Sequence, residues 1–371
     1  MKKTNLLIGM SAMLLAMASC TNDEPISSDA ARSVGSQISF RPAMGSRTRA
    51  TETTNANLSE FDVTAIWDNE VYFNQIPFSK GSDSFFTSSP AYNWPGDDNT
   101  VTFYAFAPSA EELGADVTLT TSTKEMASFS PASEIADQVD FITAIATGNR
   151  KSNEASGVEL NFKHQLSQIE LRAKSENTAY IFKVAGMRIG RPEFLGTFDF
   201  EKETWTLDDW HDTEVYTSNC DTITLTSDPV SIMGKSGNAM LLPQTLRAWS
   251  PTDDPDNVAR GAYLGVLLSI TTKDGAQVYP FPSETTSTNK PLRTYGWAAI
   301  PLSGTWESGK KYVYTLDFTG GAGVIDPDDP NPGKSILGGP MKFTINVEDW
   351  IETPQPTSMT TFGGGNNTQT K

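Results

Sequence analysis

Side chains able to do acid–base, nucleophilic or metal chemistry are scarce in this chain. Histidine occurs twice, at His164 and His211, and cysteine twice, at Cys20 and Cys220. A zinc site needs several such ligands at short fixed spacings, and that pattern is not present. A Ser-His-Asp arrangement would have to use one of the two histidines, and no G-x-S-x-G elbow accompanies them. His164 lies among Phe162, Leu166 and Ile169, the setting of a histidine packed at a strand end rather than of a general base. No Walker or dinucleotide glycine pattern occurs. Paired carboxylates are numerous, at Asp97-Asp98, Asp208-Asp209, Asp253-Asp254 and Asp328-Asp329, and each adjoins Pro, Gly, Asn or Trp. Turn chemistry accounts for them. Calcium in the loops at 253–256 or 326–329 is a chemical option, but the EF-hand spacing is missing. The expectation is a chain with no catalytic residue, no metal site and no cofactor, and so not an enzyme. Eight tryptophans admit two readings, a stacking platform for sugars or fillers of a core. Their scatter over strand and loop positions favours the second.

One cysteine stands where its thiol has a use. Lys2 and Lys3 precede an apolar run from Leu6 to Met17, small Ala18 and Ser19 follow, and Cys20 comes next. A basic start, an apolar core of about a dozen residues and small residues before a cut make an export signal, too short for the roughly 20 residues that span a bilayer. A Cys at that place resembles a bacterial lipoprotein signal. The resemblance implies acylation of the Cys20 thiol by diacylglycerol, removal of residues 1–19 and anchoring in the cell outer membrane. Several acyl chains on one residue hold more firmly than one. An ordinary secretory signal with an incidental cysteine fits the stretch less fully. With Cys20 so used, Cys220 has no disulfide partner. The formal charge is −17, and departure of Lys2 and Lys3 makes the mature chain still more acidic. Such a surface repels nucleic acid.

The remaining length, out of 371 residues, suits two domains of ~150 residues each. Residues 20–36 read as a polar tether, and Asp23-Glu24 within it fits either a surface-export signal or a solvated linker. Gln37–Arg41 alternates as a short strand, with Ile38 and Phe40 on one face, before a small-residue loop that carries Arg47 and Arg49. Period-two runs then follow one another to Gly148, punctuated by Gly, Pro and Asp. A second set starts at Ile169–Ala173 and closes with Lys311–Phe318 and the alternating Met341, Phe343, Ile345 and Val347. Only Glu111-Glu112-Leu113 suggests a helical turn. The pattern predicts an all-β chain of sandwiches, an N-terminal domain over 37–155, a C-terminal domain over 156–350 and a polar tail over 351–371.

Several short motifs occur together: Ile38-Ser39-Phe40 before Thr48-Arg49-Ala50-Thr51, then Tyr92-Asn93-Trp94-Pro95 before Val101–Pro108. Asp140-Phe141, Phe162-Lys163-His164, Trp306–Tyr314 and Val347–Trp350 complete the set. Jointly they resemble the fimbrillin family, Mfa-like branch, the subunits of type V pili. The resemblance implies two tandem transthyretin-like Greek-key β-sandwiches. It also implies outer-membrane export as a lipoprotein through Cys20, and an arginine-specific protease that cuts after Arg49 or Arg47. The first strand, with Ile38 and Phe40, is then lost, and a strand from another pilus subunit fills the groove, for which Met341, Phe343, Ile345 and Val347 are the donor candidates. Strand addition of this kind satisfies unpaired backbone groups and apolar pockets at once. The same final strand equally suits a place inside its own domain. Stalk, tip and anchor subunits share these motifs. A surface lipoprotein that never polymerises and binds a glycan or host ligand is the competing reading.

Overall fold

The computed structural model describes residues 37–44, 53–54, 57–95, 99–208, 213–252, 255–281, 294–329, 331–339 and 341–350. The leader, Cys20, the tether, Arg47, Arg49, His211, Trp210, Asp253-Asp254 and the tail lie outside them. The described chain is all-β, as its alternation predicts.

Ten strands come first: β1 (Phe40–Ala43), β2 (Glu60–Trp67), β3 (Glu70–Lys80), β4 (Phe86–Thr87), β5 (Val101–Ala107), β6 (Asp116–Leu119), β7 (Lys124–Phe129), β8 (Ile142–Gly148), β9 (Val158–Asn161) and β10 (Lys163–His164). Eight form one sheet in the order β10-β8-β5-β2-β3-β4-β1-β9. Its two ends, β9 and β10, are separated in sequence only by Phe162, so the sheet curls round until its ends nearly meet. Inside lies a core that includes Ile38, Phe40, Phe61, Phe78, Phe103 and Leu160. The β2–β3 hairpin turns on Asp68 and Asn69, both left-handed at φ 51° and 58°. Asp and Asn tolerate that conformation in a two-residue type I′ loop. The helical turn at Glu111-Glu112-Leu113 forms as α1 (Ala110–Leu113), with a reciprocal capping box between Ser109 and Glu112.

The second half supplies β11 (Ser167–Lys174), β12 (Tyr180–Glu193), β13 (Gly196–Asp199), β14 (Thr204–Leu207), β15 (Thr213–Thr224), β16 (Val230–Ser231), β17 (Ala239–Leu241) and β18 (Thr245–Leu246). After these come β19 (Tyr263–Thr272), β20 (Gln277–Tyr279), β21 (Gly296–Pro301), β22 (Gly304–Thr305), β23 (Lys310–Asp317), β24 (Val324–Ile325) and β25 (Lys342–Asp349). One sheet runs β16-β11-β23-β25 with β17 beside β11, and another runs β15-β12-β19-β21-β24 with β20 beside β19. Between them lies the largest core, which includes Leu171, Met187, Leu268, Trp306 and Leu316.

Near the division expected at 155/156, the strands pass from one sheet to the next. The polar loop 148–157 leads into β9 and β10, which belong to the first sheet, so the change of sheet comes between His164 and Ser167. The two halves also share a sheet, β14-β13-β7-β6. It covers a third core that holds Phe106, Phe129, Phe141, Phe198 and Trp350. The described residues, from Gln37 to Trp350, cluster as one compact unit.

Candidate functional site

Strand β1 is short but lies deep. Ile38 and Phe40 are fully buried. The Phe40 ring meets Phe78, Phe103 and Phe61 edge-on, at centroid distances of 4.8, 5.1 and 5.9 Å. That is the geometry aromatic quadrupoles prefer. The backbone is held on both flanks. β1 runs parallel to β9, with Phe40 opposite Val158 and Ala43 opposite Asn161, and it meets β4 antiparallel at Phe86. The Val158 N–H donates to the Ser39 carbonyl at 2.8 Å, and the Phe162 N–H to the Ala43 carbonyl at 3.0 Å. The Tyr92-Asn93-Trp94 motif grips the beginning of the strand. Ile38 N–H donates to the Tyr92 carbonyl at 2.8 Å, Gln37 bridges Asn93, and buried Trp94 packs on Phe103. Gly157, at φ 71°, allows close passage, since a Cβ there would lie 3.2 Å from the Ser39 oxygen. The Arg41 guanidinium lies over the Phe85 ring at 4.4 Å. Met44 is the last described residue before Arg47 and Arg49, and Thr53 the first after them.

The last strand has the opposite character. β25 pairs in full register with β23, from Asp317 opposite Lys342 to Lys310 opposite Asp349, and its other flank is a sheet edge. Its alternation predicts one buried face, yet burial fades along it. Met341 is buried and Phe343 is half-buried against Tyr314, while Ile345 and Val347 are 44% and 52% exposed. The strand is fixed at its far end by buried Trp350, whose N–H donates to the Gly309 carbonyl at 2.7 Å.

Trp350 reaches back to the first sheet. Its indole stacks on the His164 ring at 4.3 Å, with the planes 6° apart. His164 Nδ1 lies 2.9 Å from Oδ2 of buried Asp140, which also accepts the Thr53 N–H at 3.0 Å. A cleft of about 420 Å³ opens beside them, with Met44, Lys163, Glu203, Lys310 and Asp349 in its wall. The Ser308 hydroxyl on this cleft donates to the Gln165 carbonyl, so it is not disposed toward His164. The histidine is a packed strand-end residue, as its apolar neighbours suggest. Asp140, Thr53 and Trp350 were not recognisable as its partners in the sequence. The one signal was that Asp140-Phe141, Lys163-His164 and Asp349-Trp350 each fall inside a motif shared with the fimbrillin family.

Two polar clusters lie apart from these strands. At the loop 326–329, Arg188 pairs with fully buried Asp326 at 3.2 Å, while Arg191 and the Tyr263 hydroxyl bind Asp328 at 2.7 and 2.8 Å. The contacts to Asp326 all end on its Oδ1, and its Oδ2 is buried without a hydrogen-bond partner among the described residues. Among the described residues, no group of three or more His, Cys, Asp or Glu is placed to hold a metal. Of the described tryptophans, Trp67, Trp205 and Trp297 are half-buried and the others buried.

The second cluster gathers Glu60, Asp62 and Glu112 around a cleft of about 280 Å³. Burial, then repulsion from Glu60 and Glu112, pushes the Asp62 carboxyl up to about 6. A carboxyl raised in the folded state keeps its full contribution below about pH 4 and loses it as the pH climbs through 6. Asp62→Asn should therefore match the parent near pH 4 and exceed it at pH 7. The gain is on the order of 1 kcal/mol once solvent screening of a half-buried group is allowed for. Urea unfolding at both pH values measures it, and equal differences at the two would rule out the repulsion.

The sequence pattern of the fimbrillin-like family matches residues 48–350. A search of curated proteins gives no match. Among solved structures, a fimbrial protein of Bacteroides vulgatus superposes with a TM-score of 0.55 at 17% identity, over 85% of this chain and 99% of that one. At that identity the likeness establishes a common fold. The fimbrial anchor protein Mfa2 of Porphyromonas gingivalis aligns over 85% of this chain and 98% of its own, at 12% identity and a TM-score of 0.33. With the family pattern spanning nearly all of the described residues, this chain belongs to the fimbrillin-like family.

Proposed function

We propose that the chain is a fimbrial subunit that is completed by its neighbour. It is exported as an outer-membrane lipoprotein through Cys20 and cut by an arginine-specific protease after Arg49 or Arg47. Loss of β1, with Ile38 and Phe40, then opens a slot that a strand from another subunit fills. Residues Met341, Phe343, Ile345 and Val347 are the segment offered in turn to the next molecule. Pilus subunits are the partners that come with the family; the protease, the lipid and the surface location after processing belong to this reading.

The observation that carries it is the contrast between the two end strands. β1 is a core element on a short segment, flanked by strands on both sides, and the candidate cut sites follow within a few residues. Withdrawing it would expose the edges of β4 and β9 together with an aromatic pocket, a combination that recruits a strand. β25 already lies at an edge with Ile345 and Val347 uncovered.

N-terminal sequencing of the surface form tests the reading. A chain that starts at Ala50 or Thr48, in ladders that survive mild detergent, is expected. An acylated Cys20 on a lasting monomer, with residues 37–49 retained, would contradict polymerisation by this route.

A further inference from the structure

The order of events in such an assembly is built into the contact between the two end strands. Resting on the strand-exchange reading, we propose that His164 is a positioning residue that keeps β25 closed on its own domain until β1 has gone. A subunit would thus offer its last strand only after its own slot has been opened.

β9 ends the strand order of the first sheet, and among the described residues β1 is its one ladder partner there. β9 leads through Phe162, itself bonded to the Ala43 carbonyl of β1, into β10 and His164. When β1 leaves, residues 158–161 lose their parallel ladder and Phe162 its bond, so that His164 is held on this side by its pairing with Ile142 of β8. His164 is the residue at its far end, and the Trp350 indole lies flat on its ring. Asp140 orients the imidazole from below, and its Oδ2 also holds the Thr53 N–H. Thr53 is the fourth residue after Arg49, so cleavage loosens the same cluster from a second direction. Trp350 in turn secures one end of a strand that buries little else. Met341 is the other buried anchor, and the side chains from Thr344 to Asp349 are exposed. Local opening follows regions with few buried apolar contacts, and β25 without Trp350 is such a region. His164 does no chemistry here; it acts through the indole it supports.

Hydrogen exchange on the full chain, before and after arginine-specific cleavage, reads the device directly. Once β1 has dissociated, the amides of Lys342–Asp349 are expected to exchange about tenfold faster or more, with those of β19 unchanged. In the uncut chain, His164→Ala should loosen the same amides. His164→Phe, which keeps a ring against Trp350 without the bond to Asp140, should restore most of the protection. Unaltered exchange in β25 after β1 is lost overturns the proposal, whatever the variants do. So does unaltered exchange in the uncut His164→Ala chain. Fibre growth is scored separately. Polymer formed with β25 still protected sinks the proposal and leaves strand exchange standing, whereas a loosened β25 that never yields polymer counts against strand exchange itself.

Discussion

Phe40→Ala is expected to lower the unfolding free energy by about 3–5 kcal/mol, the usual cost of a large aromatic removed from a packed interior. The ring is fully buried and touches three other phenylalanines edge-on. Those rings are fixed by strands β2, β3 and β5, so the surroundings have little freedom to collapse into the space. Transfer of the lost atoms accounts for part of the effect, and the remaining cavity for the rest. Urea unfolding should show an earlier midpoint with an unchanged slope. A loss below about 1 kcal/mol would mean that β1 contributes little to the core. The measurement also bears on assembly. A strand with so large a share of the packing leaves the remainder destabilised when withdrawn, and an incoming strand has that much to restore.

The second large effect concerns processing. Replacing both Arg47 and Arg49 by Ala should leave the subunit uncut, monomeric and membrane-bound, with no detergent-resistant ladder on gels. On the proposed processing either arginine alone would serve, so single changes should slow cutting without ending it. Arg41 is not a substitute. It is paired opposite Glu159 within the ladder, its guanidinium lies on Phe85, and Pro42 follows it. A protease needs an extended free chain, which a strand inside a sheet does not provide. Fibres that keep growing from the double variant would contradict the switch.

Much of the architecture was readable from alternation alone. Val101–Ala107 and Lys311–Phe318 read as strands because their apolar residues recur at every second position over a sufficient length, and strands form at Val101–Ala107 and Lys310–Asp317. β7 escaped for a local reason. Ser128 is left-handed at φ 58°, and Met126 and Phe129, three residues apart, are both buried. A bulge of that kind breaks the period-two signal. The shared sheet of β6, β7, β13 and β14 escaped for a non-local reason, since pairing between distant segments leaves no trace in either one. The motif Phe162-Lys163-His164 marked a place of interest without its partner. That the partner is Trp350 depends on how two sheets meet, which no spacing within the motif encodes. For β25 the alternation was read correctly and its burial was not, because an edge strand with two wet faces has the same pattern as one pressed on a core.

The position of β1 between two neighbours, rather than at a rim, has a mechanical consequence. A strand seated there is zipped along both flanks, with four register pairs to β9 and one to β4. If a neighbour's strand takes that seat, tension along the filament loads these bonds together in shear instead of peeling them one at a time. The brief contact with β4 is then the weaker flank, and the length of the β9 ladder sets how much pull each joint withstands.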